Sequence, residues 1–472
     1  MINNLKILGF RRILLMAASV RKHGFTLLAL LDAVKYSKAI IKDDDVVLSY
    51  GDLYDQSLQL AHFLNQKYGI SSGSRVAIVG TNSAAMVRSL FAVSGLGGDL
   101  FLLNPSQKAV YFSKLFAAKK IDLVIGDSAV AGELLGMDVP FFDHKQQIDT
   151  FPGPLKSITK RKKATVTILS GGSTGMPKSE RRKVSAISFV NPLTEIIDKL
   201  RLESVESVFL SVPVFHGYGL AALVLSVFLG KSIRLSQKFD AEKAQDIITN
   251  EKQDCWIIVP RMLQKVLSNR KPGISTLKTV VSGGDMLPTG TIEKLRKIST
   301  AKIYNLYGTS ETGVCTIATD DDLTTHPGTI GKMIKGVSAK TDHNGQLLVQ
   351  CEWSSDSRNG GYIATGDIIT RNAEGYYFYN GRTDDMMVIG GENVYPAELE
   401  DILFRHPLIQ WAKASGVAVD DAIRIHIELV LSKGNEFNED ELRQWLSVQV
   451  PGYLMPKSIS VLKQEPPSKL MQ

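Results

Sequence analysis

Residues 379 to 400 read YNGRTDDMMVIGGENVYPAELE, and here the chain changes from one folding pattern to another. On the N-terminal side GYYFYNGR is strand-like and follows the strand-like GDIITRN across a tight turn at Glu374-Gly375. On the C-terminal side VYPAELEDILFRH reads as a helix, with proline near the start, where the backbone N–H has no helical partner to lose. IRIHIELVL then alternates as a half-buried strand, and NEDELRQWLSVQV is a capped helix. These elements suffice for a small α+β domain of about 90 residues, within the usual domain range. We place the boundary after Gly381, with residues 1–381 as the N-terminal domain and 382–472 as the C-terminal domain.

Upstream, the pattern alternates between helices and short apolar strands. DLYDQSLQLAHFLNQKYG puts Leu53, Leu58, Leu60, Ala61 and Leu64 near helical spacing and stops at Gly69. RVAIVG reads as a buried strand and AMVRSLFAVSGLGG as a helix. DLVIGD, VTILSGG and CWIIVP are further short strands ending in glycine or proline. Strands alternating with helices predict layered α/β subdomains with ligands near the carboxyl ends of the strands.

Of the 472 residues 44% are hydrophobic and 22% charged, ample material for more than one core. The formal charge of +7 suits anionic small molecules or an anionic membrane surface and is too diffuse for nucleic acid. Cys255, Cys315 and Cys351 match no metal or redox spacing, which favours incidental thiols in a reduced, cytoplasmic setting. GYGLAALVLSVFLG (Gly217 to Gly230) is shorter than the ~18 residues of a membrane span and reads as a buried helix. The N-terminal MINNLKILGFRRILLMAASVRKHG carries Lys6, Arg11, Arg12, Arg21 and Lys22 without an acid. Its apolar stretch is too short for a signal-peptide core. We read it as an amphipathic helix docked on the body, with peripheral membrane contact as the alternative.

The chemistry begins with SGGSTGMPKS, residues 170 to 179. Glycines, hydroxyls and one lysine offer backbone N–H donors, O–H donors and a point charge to phosphate. A Walker loop needs glycine directly before the lysine, but Pro177 stands there and lacks an N–H. The dinucleotide fingerprint G-x-G-x-x-G is absent as well. Taken singly, this loop favours phosphate binding over a plain glycine-rich surface turn. NLYGTSETG (Asn305 to Gly313) reads alone as a turn with a helix cap, and VSGGDMLP (Val281 to Pro288) as a Gly-Gly turn. By themselves, Asp367 in YIATGDI is a strand-end carboxylate and His216 in PVFHGYG a core histidine.

Together, and in this order, the segments resemble the signatures of the adenylate-forming (AMP-binding) superfamily over roughly residues 40 to 472. The first matches that family's T-S-G-T-T-G-x-P-K loop, with Gly171 where a hydroxyl is usual. The resemblance implies phosphate contacts from Ser170, Gly172, Ser173, Thr174, Gly175 and Lys178, and an adenine lane along Gly283, Gly284 and Asp285. It implies nucleotide contacts from Asn305, Tyr307 (stacked on adenine), Gly308, Thr309 and Ser310, and Mg²⁺ on Glu311. Asp367 would grip both ribose hydroxyls, since a carboxylate accepts two donors at once, and Arg382 would reach ribose or phosphate. Phe215, His216, Gly219 and Gly313 would line the acyl pocket, Asp384 would be the hinge, and Gly390, Gly391 and Glu392 would line the thiol route. EPPSKLMQ stands where the family has L-P-x-T-x-x-G-K, which makes Lys469 the catalytic lysine beside Lys178 and Glu311, although Ser468 replaces the usual glycine.

The implied reaction has two steps. A carboxylate oxygen attacks the α-phosphate of ATP, releasing pyrophosphate and leaving an acyl-AMP, and the thiol of CoA then takes the acyl group. The resemblance also implies that the C-terminal domain, residues 382–472, is a mobile lid that would rotate at Asp384 between the steps. GFTLLALLDAV, LLNPSQ, NLYGTSETGVCTIAT and DDMMVIGGENVYPAELEDIL look most like bacterial fatty-acyl-CoA synthetases, so the acid is expected to be a fatty acid. The alternatives are a ligase loading an acyl-carrier protein and a weakened acyl- or nucleotide-binding relative.

Overall fold

Short runs of β-branched and aromatic residues between glycine and proline stops become strands, and their pairing sets the architecture. The computed structural model describes residues 8–134, 136–146, 164–169, 179–180, 190–269, 273–351, 353, 361–389, 392–419, 422–432, 437–464 and 466. Thirteen of the described strands form one sheet and six another. In the larger sheet Ser232–Leu235, Ser207–Leu210, Cys255–Ile258, Thr279–Gly283 and Lys302–Thr309 lie side by side and parallel. From Lys302–Thr309 the sheet continues antiparallel through Gly313–Ala318, Thr329–Met333 and Tyr377–Arg382 to Ile363–Arg371. The smaller sheet holds Leu123–Gly126, Arg75–Val79, Asp99–Leu103 and Thr165–Leu169 in parallel.

Helices cover these sheets where the spacing predicts them. Tyr50–Tyr68 opens on a capping box between Ser49 and Asp52 and ends at Gly69 in the left-handed conformation. It buries Leu53, Leu60, Ala61 and Leu64. Gly217–Phe228 is less enclosed than its composition suggests, with only Gly219, Leu223, Ser226 and Val227 buried. Part of its surface is covered by the N-terminal helix Phe10–His23, whose Arg12 guanidinium lies 5.5 Å above the Phe228 ring. Among the described residues, no helix is long and apolar enough to cross a membrane. All three cysteines are buried, and burial pushes the Cys255 thiol up to about 12, so it carries no thiolate at neutral pH.

The C-terminal part has its own core, built from Leu399, Leu403, Ile409, Ile425, Ile427, Leu429 and Leu446 among others. A sheet of Ile409–Val419, Ala422–Leu431 and Ser458–Val461 packs with the helices Pro396–Leu403 and Glu439–Ser447. Asn438 caps the second helix by accepting from the Asp440 and Glu441 N–H groups. The fold is thus α/β, with a large N-terminal domain and a small α+β domain after it.

The two domains meet at the start of the Thr289–Arg296 helix. Its N-cap residue is Pro288, which makes no side-chain cap. The orphan N–H of Thr289 instead donates to Oδ1 of Asp401, from the small domain, at 2.8 Å, and the Thr289 hydroxyl lies 3.0 Å from Oδ2. An anion at a helix N-terminus is favoured by both the hydrogen bond and the helix dipole. Arg405 pairs with the same carboxylate at 2.7 Å. One helical turn later, the Lys294 ammonium donates to the carbonyl oxygens of His406 and Ile409 at 3.4 and 3.1 Å. The approach is close enough that a Cβ on Gly290 would run into the Phe404 carbonyl oxygen.

Asp401→Ala therefore removes a helix cap supplied across the junction, at a cost of about 1 kcal/mol. Limited proteolysis at the link near Asp384 is expected to accelerate severalfold, with the N-terminal domain unfolding at its usual temperature. Unchanged cleavage would show that this contact contributes nothing to docking.

Candidate nucleotide and acyl site

Parallel pairing brings distant segments to one edge. Val281 is in register with Tyr304 and Gly283 with Leu306, so Gly283, Gly284 and Asp285 leave the sheet beside Tyr307, Gly308 and Thr309. Ser207–Leu210 is two strands away and ends at the same edge, which delivers Phe215, His216 and Gly219. The Phe215 and His216 rings lie 4.7 Å apart, and His216 opens the Gly217–Phe228 helix. A Cβ on Gly217 would lie 3.7 Å from Cδ1 of Ile168, so the strand leading toward Ser170 also ends beside this turn.

Asp367 is the centre of the arrangement. It is buried on Ile363–Arg371, opposite Arg382 in the register of the antiparallel pair. The Tyr307 hydroxyl donates to its Oδ2 at 2.7 Å, and Nη1 of Arg382 donates to its Oδ1 at 3.0 Å. Burial raises the Asp367 carboxyl above its ordinary range, and the Tyr307 hydroxyl and the Arg382 charge offset this only in part. Arg382 also reaches Asp384 through Nε at 3.1 Å. One guanidinium thus links the buried carboxylate to the stretch joining the two domains.

The fit of a nucleotide and its metal can be read from the polar atoms. Asn305 is buried, and its Oδ1 lacks a hydrogen-bond partner among the described residues. An unpaired acceptor in this lane suits the exocyclic amine of adenine. Glu311 sits at the tip of the hairpin between Lys302–Thr309 and Gly313–Ala318. The tip is held by Thr309 and Thr312, whose hydroxyls lie 3.0 Å apart and each accept from the other's N–H. Gly308 is required there, because a Cβ would strike the Gly313 carbonyl oxygen. One carboxylate with solvent access fits Mg²⁺, which takes one or two protein carboxylates and completes its shell with phosphates and water. Among the described residues, no cluster of three or more metal-ligating side chains offers a different metal site.

Other expected residues fall in less central places. Asp285 is exposed just past Thr279–Gly283, and its Oδ1 accepts from the Met286 N–H at 2.8 Å. Ser310 is exposed in the hairpin turn and Gly313 begins the returning strand. Asp384 lies between Tyr377–Arg382 and Met387–Ile389, and Glu392 opens the strand Glu392–Val394 that pairs back with it. Ser170, Gly172, Ser173, Thr174, Gly175, Lys178, Gly390, Gly391 and Lys469 lie outside the described residues.

Two residues inside the quoted motifs have roles that the motif letters did not assign. Thr365 is buried, accepts from the Asp367 N–H at 3.1 Å, and offers its carbonyl to Arg382 at 3.1 Å, so it orients both members of the ion pair. Tyr218 donates its hydroxyl to the Val281 carbonyl at 2.9 Å and places its ring against Gly283. Their signal was proximity to Asp367 and His216 in the sequence.

The sequence pattern of a family described as AMP-binding enzyme matches residues 32–353. The 2-succinylbenzoate–CoA ligase of Oceanobacillus iheyensis is 25% identical over 458 residues, covering 91% of this chain and 93% of that protein. The 2-succinylbenzoate–CoA ligase of Geobacillus sp. (strain WCH70) is 26% identical over 432 residues, covering 84% and 85%. Among solved structures, the anthranilate CoA ligase AuaEII in complex with anthranoyl-AMP superposes with a TM-score of 0.84 at 20% identity, covering 95% of each chain. The o-succinylbenzoate CoA synthetase of Bacillus subtilis, in complex with ATP and magnesium ion, superposes with a TM-score of 0.78 at 22% identity, covering 93% and 96%. These relatives are named for aryl acids, and the expected likeness to fatty-acyl-CoA synthetases finds no support among them. With more than half of its length matched by the family pattern, and with the fold of adenylate-forming ligases, the chain belongs to the AMP-binding enzyme family.

Proposed function

We propose that the protein is an AMP-forming acid–thiol ligase that activates a carboxylic acid with ATP and passes the acyl group to CoA. The observation that carries this reading is the buried Asp367 carboxylate, held between Tyr307 and Arg382 at the edge where the parallel strands end. The ribose hydroxyls would donate to Asp367, adenine would lie along Gly283 to Asp285 with its amine toward Asn305, and Glu311 would hold Mg²⁺. Bound Mg²⁺ supplies charge neutralisation on the phosphates. The acid's carboxylate oxygen bonds to the α-phosphorus as the bond to the pyrophosphate oxygen breaks. The CoA sulfur then bonds to the acyl carbon, AMP leaves, and the thiol proton goes to solvent. Positioning and fixed positive charge from Lys178 and Lys469 supply the catalysis.

For the acid, the 2-succinylbenzoate and anthranilate in the relatives' names favour a compact aryl molecule. It competes with the fatty acid expected from the motifs. Pyrophosphate exchange across aryl and fatty acids, followed by product analysis with CoA and with acyl-carrier protein, decides both substrate and acceptor. No exchange with any acid, in a protein that binds ATP, would favour an inert relative.

Asp367→Asn is expected to weaken AMP binding at least tenfold while moving the unfolding midpoint by no more than a few degrees. A buried carboxylate whose pKa is raised is not a net source of stability at neutral pH. A large loss of stability with unchanged AMP affinity would make Asp367 a structural residue. Asp384→Pro should leave acyl-AMP formation intact and suppress thioester formation, because proline pins φ near −65°. Equal loss of both steps would remove the hinge from Asp384. Lys469→Ala should cut adenylation by ~10²–10³ while sparing thioester formation from supplied acyl-AMP. Full-rate exchange by that variant would assign the role to another lysine.

A further inference from the structure

The N-terminal helix has two faces, and only one is accounted for by the fold. Its inner face is tied to the body at several points. Ser19 donates to Oδ2 of Asp32 at 2.9 Å, and the Lys22 ammonium lies 3.3 Å from Oδ1. Arg12 pairs with Glu203 at 3.0 Å, and Ile13 and Met16 pack on the main core. Burial disfavours the charged form of Asp32, but hydrogen bonds from His23, Lys35 and Ser19, with the charge of Lys22, hold its carboxyl far below the ordinary range. The helix is therefore anchored through an ionised group, and its rotation about its own axis is set.

That rotation turns large apolar side chains outward. Phe10 is 69% exposed, Leu14 54% and Leu15 43%, and Phe25, just past the helix, is 63% exposed. Phe10 and Leu14 are one turn apart, and Ala17, Ala18, Arg11 and Arg21 are exposed around them. The first acid in the chain is Asp32, which points inward to the ion pairs just described. An outward face of phenylalanine, leucine and arginine with no carboxylate is unlike a solvated surface helix, whose outward side is mixed in charge and polar.

From this geometry we infer that the outer face of Phe10–His23 docks on an anionic phospholipid surface. Phe10, Leu14 and Phe25 enter the boundary between headgroups and acyl chains, and Arg11 and Arg21 meet lipid phosphates. The charge complementarity selects this partner: a protein partner needs no uniform sign, whereas the inner leaflet presents a sheet of negative charge to any orientation of two arginines. Because the inner face is tied down at Asp32, the helix presents this surface without first having to fold on the membrane.

The test is co-sedimentation of the full chain with vesicles of phosphatidylcholine alone and of phosphatidylcholine mixed with phosphatidylglycerol. Binding to the mixed vesicles, weakened by added salt, is expected. Phe10→Ser with Leu14→Ser should lower the partition coefficient at least tenfold. Arg11→Gln with Arg21→Gln should lower it about 25-fold, at roughly fivefold per charge near an anionic surface. Both variants should retain the circular dichroism and pyrophosphate exchange of the parent, since neither touches the nucleotide site. Equal binding to both vesicle types, or partition unchanged in the two variants, overturns the inference. So does light scattering that finds a dimer of the parent and a monomer of the serine variant, which would make the face a contact between copies of the chain.

Discussion

Asp367 is the residue on which the two halves of the molecule converge. Taking a carboxylate out of water is expensive unless it is paired and hydrogen-bonded. Here the compensation comes from opposite directions: a hydroxyl from the parallel part of the sheet and a guanidinium from the strand that runs on to the small domain. Burial still raises the carboxyl, since the Tyr307 hydroxyl and the Arg382 charge offset it only in part.

Around Thr289 the contacts between the domains are polar: Asp401, Thr289, Arg405 and Lys294 meet through hydrogen bonds and a helix terminus. Interfaces of this character permit relative motion between domains, whereas large hydrophobic ones resist it. Each domain meanwhile keeps a core of its own, so the junction can open without exposing either interior. Through Nε, Arg382 also pairs with Asp384 in the stretch that leads to the small domain, so the same guanidinium serves both carboxylates.

Much of the architecture was legible because local rules and tertiary structure agree. The Ser49 capping box and Gly69 stop bound a helix whose leucine spacing matches its buried face. Pro396 and Asn438 mark helix starts in the small domain for equally local reasons. The site was legible as a set of motifs, since glycine turns, Tyr307, Glu311 and Asp367 each carry chemistry in their side chains or their freedom of backbone. The expectation of a fatty acid rested on motif likeness and finds no support in the relatives' names, because the motifs quoted for it are ones that acid–CoA ligases of different substrates share.

By itself, then, the sequence determined the elements, the two-part organisation and the residue types of a candidate nucleotide site, because these depend on periodicity, caps and glycine at short range. Tertiary structure alone decided which of those residues meet. Tyr307 and Asp367 are sixty residues apart, and their hydrogen bond exists because one strand lies in the parallel part of the sheet and the other in its antiparallel extension. The capping of Thr289 by Asp401 and the outward turn of Phe10 and Leu14 are likewise properties of packing. Each depends on the orientation of one element against another, which no local stretch of sequence encodes.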